Sequence, residues 1–305
     1  MTEAPISLNP AKPPRMSKSG RDSKKYIQVA PGKHIQASVS VRKLEKRIVR
    51  LTAQAITDYN MIEDGDKVLV AMSGGKDSYV LLDALQRLQG RAPIRFELIA
   101  VHVAQGIPGE PTHVLEDYLK SIGVPYHIEY QDTHSIIEKL IPSGKNVCSL
   151  CARLRRGILY RVARELGCTK IALGHQMDDV VSTLLLNMFY GGRIKGMPPV
   201  LRSDDKQNIV IRPMVYVREY EIAKWARIRE FSLAPKNLCG ARENQKRKEI
   251  KELIAQWDRQ YDSRIYNLFM STTRVAASQL SDKTLFDFTR FERIGPGAVD
   301  TDCDE

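Results

Sequence analysis

The stretch "VLVAMSGGKDSYVLL", residues 68–82, decides the fold. An apolar run short enough for a buried strand meets a glycine pair, then Lys76 and Asp77, then a second apolar run with helical spacing. A strand, a glycine turn and a helix start together make a nest of backbone N–H groups with a helix dipole behind it, and such a nest holds an anion. The stretch is not a Walker loop, because no second glycine stands at the required distance and Asp77 follows the lysine where a hydroxyl is needed. Nor is it a Rossmann G-x-G-x-x-G. What remains is S-G-G-x-D-S directly after a strand, with a tight strand-to-helix turn as the plain alternative.

Working outward, the pattern alternates. Lys67–Met72 and residues 79–88 read as a strand and a helix, and residues 96–103 as a second strand. A helix is predicted over 116–122, a strand over 125–130, a helix over 151–166 stopped by Gly167, and a strand over 170–175. Residues 179–190 read as a helix, 209–217 as extended and 219–230 as a helix; before all of these, a helical pattern starts near Val39. Strands alternating with helices at this spacing call for an α/β fold with a parallel sheet covered on both faces, and ligands bind such sheets at the carboxyl ends of the strands. Ser73, His102 and His175 are the polar strand ends expected to line one crevice.

Residues 1–37 are rich in Pro, Lys and Ser and read as a disordered basic arm, residues 38–280 as the catalytic domain, and residues 281–305 as an acidic, disordered tail. The formal net charge of +11 is uneven: residues 1–50 carry +9, 51–150 carry −5, 151–250 carry +10 and 251–305 carry −3. Two basic blocks fit a phosphate-rich partner touched at two places, although a solvated surface would look the same. The longest apolar runs are strand-sized, so no membrane span is expected. The N-terminus lacks the apolar core of a secretory signal, and the five cysteines suggest a reducing compartment, so a cytoplasmic location is expected.

Three of the cysteines form a pattern. Cys148 and Cys151 make a C-x-x-C before the arginine-rich run "ARLRRG", and Cys239 stands in "LCGARENQKRKEI". A zinc site would need a fourth ligand, usually from a second pair. A redox disulfide pair is a second reading. The third makes Cys239 a remote partner, three thiolates on a [4Fe–4S] cluster leaving one iron open. Cys168 reads as a structural thiol and Cys303 as incidental.

The loop S-G-G-x-D-S resembles the signature of the PP-loop ATP pyrophosphatases, which grip the β,γ-pyrophosphate of ATP and cleave between the α and β phosphates. In that light Ser73 and Ser78 would donate hydroxyl hydrogen bonds, and Gly74 and Gly75 would admit the backbone. Asp77 would orient Mg²⁺ or the loop, and Lys76 would neutralise charge. "LGHQMDDVVSTLLLNMFYGG" resembles the G-H-x-x-D-D segment of PP-loop enzymes that modify tRNA cytidines, with Gly174 and His175 at a strand end. Asp178 and Asp179 there would help hold Mg²⁺ or cap the helix. Gln176 and Met177 depart from the basic or histidine-like residues that segment usually carries.

Taken together, "MSGGKDSYVLL", "CSLCARLRRGILYRVA", "LLLNMFYGGRIKGMPPVL", "IRPMVYVRE" and "LCGARENQKRKEI" resemble the tRNA 2-thiocytidine synthetases, the TtcA family of tRNA-cytidine 2-sulfurtransferases, over residues 40–275. The resemblance implies ATP with Mg²⁺, a [4Fe–4S] cluster on Cys148, Cys151 and Cys239, and tRNA as substrate, at the cytidine of position 32. It also implies a cysteine desulfurase as sulfur source. A homodimer is a further expectation. Arg153, Arg155, Arg156 and Arg161 would grip tRNA phosphates. The alternatives are a thiolase with a cysteine persulfide and no cluster, a lysidine-type ligase, and a zinc-stabilised RNA-binding protein with a vestigial nucleotide pocket.

Overall fold

The computed structural model describes residues 26–30, 33–36, 38–140, 148–235, 245–261 and 263–291. Six strands build the main sheet: β3 (Lys67–Met72), β4 (Glu97–Ala104), β5 (Tyr126–Tyr130), β6 (Lys170–Ala172), β7 (Val200–Arg202) and β8 (Ile209–Ile211). Their order is β5-β4-β3-β6-β8-β7, with only the edge strand β7 antiparallel. The chain runs outward from β3 through β4 to β5, then returns to β6 on the other side of β3. The direction of winding therefore reverses between β3 and β6, where a doubly wound sheet opens its ligand crevice.

Alternation along the strands divides the core. Val68, Val70 and Met72 face one side, with Leu98 and Ala100 beside them. That side is covered by α1 (Val39–Asp58), α2 (Lys76–Gln89), α3 (Thr112–Ile122), α6 (Met177–Gly191), α7 (Glu219–Ile228), α8 (Gln245–Gln260) and α9 (Arg264–Ser271). Leu69, Ile99, Val101, Ile171 and Val210 face the other side, against Leu159, Val162 and Ala163 of α5 (Cys148–Glu165) and Leu166 just beyond it. Both faces are buried, so the strands read as continuous apolar runs instead of alternating ones. The buried stripe is carried by Leu159, Val162 and Ala163 of α5 and by Leu166 in the turn that ends it, while Leu150, Leu154 and Ile158 of the same expected stripe are only half-buried.

The predicted elements hold with shifted ends. The strand expected over 170–175 stops at Ala172, and of the extended stretch 209–217 only Ile209–Ile211 is strand; beyond it, Val215 N donates to Arg212 O and Val217 N to Met214 O in successive turns. Helix α4 (Thr133–Leu140), α8 and α9 have no counterpart in the sequence reading. Within the expected basic arm, β1 (Tyr26–Ala30) and β2 (Lys33–Gln36) pair antiparallel, so the reading of an unstructured stretch does not hold there. The sequence signal for this pairing is the alternation in "YIQVA" and "KHIQ". The rest of the arm and residues 292–305 of the tail lie outside the described residues; at 281–291, Asp282 and Asp287 form short side-chain turns with Thr284 and Thr289. Among the described residues no helix is long and apolar enough to cross a membrane.

Candidate active site

The loop after β3 closes on itself. Ser78 Oγ donates to Gly75 O at 2.8 Å, and Ser73 N lies 3.3 Å and Ser73 Oγ 3.4 Å from Ser78 Oγ as donors. Ser73 Oγ in turn accepts from Gly75 N at 3.3 Å. The two hydroxyls thus set the loop's curvature, and α2 begins at Lys76 with Gly75 as its cap and no side chain satisfying the first N–H groups. A helix start left open in this way is the anion site expected from the sequence. Gly74 has φ +74°, and a Cβ on it would stand 2.9 Å from the Ala234 Cβ. Its carbonyl accepts from Ala234 N at 3.0 Å, so the chain after α7 is laid across the loop. Tyr79 Oη anchors the same segment by donating to Ser232 O at 2.9 Å.

The second wall comes from β6. Gly174 lies against the start of α2, where a Cβ would meet the carbonyl carbon of Asp77 at 3.0 Å and Ser78 N at 3.1 Å. The two quoted motifs therefore meet in space as a backbone-to-backbone contact. Lys76 Nζ lies 3.0 Å from Asp77 Oδ1 and 2.9 Å from Glu219 Oε1. Burial would lower the pKa of this lysine, but Asp77 and Glu219 outweigh it and raise it.

The two aspartates at the start of α6 have different duties. Asp178 is buried and accepts from Arg218 Nε at 3.3 and 3.2 Å, from Arg218 Nη2 at 3.1 Å and from Glu219 N at 2.7 Å. Asp179 completes a capping box with Gln176: Asp179 N donates to Gln176 Oε1 at 3.0 Å and Gln176 N to Asp179 Oδ2 at 3.3 Å. Gln176 thereby has a structural reason for standing where a basic residue was expected. Burial pushes the Asp179 carboxyl up to about 6, with the charges of Asp77 and Glu219 adding to the shift. Burial also brings His175 down to about 4, helped by the positive charges of Arg212, Arg247, Arg155 and Arg156; its Nδ1 is buried without a hydrogen-bond partner among the described residues. His102 is buried at the end of β4, with Nδ1 2.8 Å from Met72 O and Nε2 3.4 Å from Glu110 Oε1. It ties β4 to β3 and to the loop that follows β4.

Cys151, in the first turn of α5, reaches the carboxyl end of β4, where its Sγ donates to Gln105 Oε1 at 3.1 Å. Gln105 is itself held by Glu110, which accepts from its N–H at 3.1 Å. The Cys148 side chain and Cys239 lie outside the described residues, and among the described residues no group of three or more His, Cys, Asp or Glu side chains is gathered around a common point. Burial pushes the Cys168 thiol up to about 11, in keeping with a structural role.

Of the four helix arginines expected to grip phosphates, Arg161 is already engaged: it pairs with Glu129 and, at 2.9 Å, with Glu165. Arg153, Arg155 and Arg156 are exposed, with no carboxylate within ion-pair distance among the described residues. Sequence reasoning assigned no role to Gln105, Arg218, Glu219, Ala234 or Arg212. The segment "IRPMVYVRE", which holds three of them, carried the family resemblance but no recognisable chemistry of its own.

Residues 42–237 match the family described as PP-loop domain. A tRNA-cytidine(32) 2-sulfurtransferase of Burkholderia multivorans is 60% identical over 253 residues, which cover 83% of this chain and 76% of that protein. The protein of the same name from Burkholderia mallei is 59% identical over 253 residues, with the same coverage. Among solved structures, the U34-tRNA thiolase NcsA from Methanococcus maripaludis, with its [4Fe-4S] cluster, shares the fold. Its TM-score is 0.62 at 24% identity, over 76% of this chain and 78% of that one. With the SGGKDS loop at the reversal point of the sheet, Gly174 packed on it and the cysteine helix at the next strand end, the chain belongs to the tRNA-cytidine(32) 2-sulfurtransferases of the PP-loop family.

Proposed function

We propose that this protein converts the cytidine at position 32 of a tRNA anticodon loop to 2-thiocytidine, using ATP and Mg²⁺. The C2 oxygen of cytosine is a poor leaving group. Its attack on the α-phosphorus of ATP forms an O–P bond and breaks the bond to pyrophosphate. Attack of sulfide at C2 then forms the C–S bond and expels AMP with the former C2 oxygen. The sulfur comes ultimately from a cysteine desulfurase.

The chain's own residues divide the work. The backbone N–H groups at Gly75 and the start of α2, with the hydroxyls of Ser73 and Ser78, bind the departing pyrophosphate where negative charge develops. Asp77 and Asp179 would each offer a carboxylate oxygen to Mg²⁺, the rest of its shell coming from the nucleotide phosphates and water, and Lys76 stands between Asp77 and Glu219. Mg²⁺ would require Asp179 ionised, and the cation's charge would draw its proton off. An anticodon loop presents its bases unpaired, so the target can enter the crevice cheaply. Cys148, Cys151 and Cys239 would hold a [4Fe–4S] cluster, whose one iron without a protein ligand offers a place for sulfide. The described member of that set fits the role: the Cys151 thiol sits at the carboxyl end of the sheet, on the rim of the crevice, and is not shut in the core.

The observation that carries this reading is the pairing of neighbouring strand ends. The phosphate-binding loop follows β3 and the residue touching Cys151 follows β4, and adjacent strands lie about 4.8 Å apart. Nucleotide chemistry and sulfur chemistry thus share one rim. The test is an anaerobic absorption spectrum with iron and sulfide assays, run beside Cys239→Ala. A broad visible charge-transfer band lost in the variant is the expected result. A colourless, iron-free protein that still thiolates tRNA would replace the cluster by a persulfide on the same cysteines.

A further inference from the structure

Arg212 and Arg218 are the two buried arginines among the described residues, 7% and 8% exposed, and their surroundings are opposite. Arg218 is met by Asp178 at 3.1 Å and Asp258 at 2.9 Å. Arg212 donates from Nη1 to the Pro198 carbonyl; among the described residues its buried Nε has no hydrogen-bond partner and no carboxylate lies within ion-pair distance of it. The charge that acts on it is of the same sign, from Arg156 of α5, and the charges of both Arg212 and Arg156 act on His175. A buried guanidinium without a counter-ion is costly, and folds keep one where an anion arrives from outside.

The position says which anion. Arg212 directly follows β8, two strands from β3, so about 10 Å of sheet separates it from the strand that carries the phosphate loop. It also lies on the other side of the sheet. The loop leads into α2, whose core face meets Val68, Val70 and Met72, whereas Arg212 faces Arg156 and Tyr160 on α5. On that helix Arg155 and Arg156 are exposed to solvent, and their charges act on His175 together with that of Arg212. A recessed guanidinium beside a helix that carries two exposed ones suits an extended polyanion whose one phosphate reaches inward.

We propose that Arg212, with Arg155 and Arg156 on that helix, receives one backbone phosphodiester of the RNA substrate and so fixes the strand beside the reacting base. The inference deepens the tRNA reading and rests on it. A planar guanidinium already holding Pro198 O with Nη1 keeps Nε for a phosphate oxygen, a geometry lysine cannot copy.

The test uses the full chain and a synthetic anticodon stem-loop RNA, with binding measured over a range of salt. Wild type is measured first; salt-dependent binding there keeps the tRNA reading standing whatever the variants do. Arg212→Met should weaken RNA binding about tenfold, the effect of one charge-assisted contact, and lower the salt slope by about one. Its KM for ATP should stay put, and its melting temperature should hold or rise, because an unneutralised buried charge is gone. Arg212→Lys should restore the salt slope but not the full affinity. Unchanged RNA binding in Arg212→Met overturns the proposal, and a raised KM for ATP with normal RNA binding assigns the site to the nucleotide instead. A steep fall in melting temperature makes Arg212 a structural prop for the Pro198 turn and also overturns it. If wild type binds no RNA at all, the tRNA reading itself falls.

Discussion

Gly174 stands so close to the peptide of Asp77 that a single methyl group on it would lie 3.0 Å from the Asp77 carbonyl carbon and 3.1 Å from Ser78 N. Both neighbours are backbone at the start of a helix and cannot swing aside. Gly174→Ala must therefore push β6 and α2 apart at the point where the phosphate loop turns. The expected result is a KM for ATP raised tenfold or more and a stability loss of about 1–3 kcal/mol, typical of overpacking. Nucleotide titration and a urea melt of the same preparation check both.

Asp77 is different, because its side chain meets Lys76 and faces the open helix start without holding up any core element. Asp77→Ala should lose AMP formation by a factor of about 100 or more, the scale of removing a group that acts on developing charge. Its iron content and visible spectrum should match wild type. Turnover at the normal rate would remove this side chain from the mechanism.

Asp178, three residues after His175, should behave in the opposite way. It holds a buried guanidinium through three contacts and caps the start of α7 through Glu219 N. Asp178→Asn should cost about 2–4 kcal/mol, below the full price of an orphaned buried charge because Asp258 remains 2.9 Å from Arg218. Activity per folded molecule should be retained. A stable but inactive variant would move Asp178 from the scaffold into the chemistry.

The stability of the nucleotide-free chain should carry two opposed pH dependences. Asp179 rises from 3.8 to about 6 on folding, so its contribution is full at low pH and is withdrawn as pH climbs from about 4 to about 6. His175 falls from 6.5 to about 4, so its contribution is full above 6.5 and is withdrawn as pH drops toward 4. The two largely offset each other in wild type. Asp179→Asn should leave a stability that increases with pH across this window, and His175→Gln one that decreases. Denaturant melts at several pH values read the slopes directly, and parallel curves for all three proteins would contradict both shifts.

Much of this was readable in the chain. The strand–glycine–helix stretch at 68–82 and the G-H-x-x-D-D segment fall where sheet order puts them together, because each is built from local signals: an apolar run, a turn and a helix start. The division of labour between Asp178 and Asp179 was not readable. It depends on Arg218, which lies far along the chain and whose approach is fixed only by the return of the chain through β8 and α7. Arg212 was hidden for a related reason. One arginine in a basic segment looks like any other until burial, and the absence of a carboxylate near it among the described residues, set it apart. The engagement of Arg161 by Glu129 was equally out of reach, since the pair forms only when α5 packs beside β5.

The hydrogen bond from Ala234 N to Gly74 O has a consequence for how the protein is made. Synthesis delivers the glycine loop early, while the segment that fastens it, with β6 and α7 before it, emerges much later. Until then the helix start has no strap across it. A ribosome-bound fragment ending before Ala234 should therefore be unable to grip ATP, and the growing chain is kept from engaging the nucleotide pool before its cysteine helix is in place. The oldest part of the site is finished last.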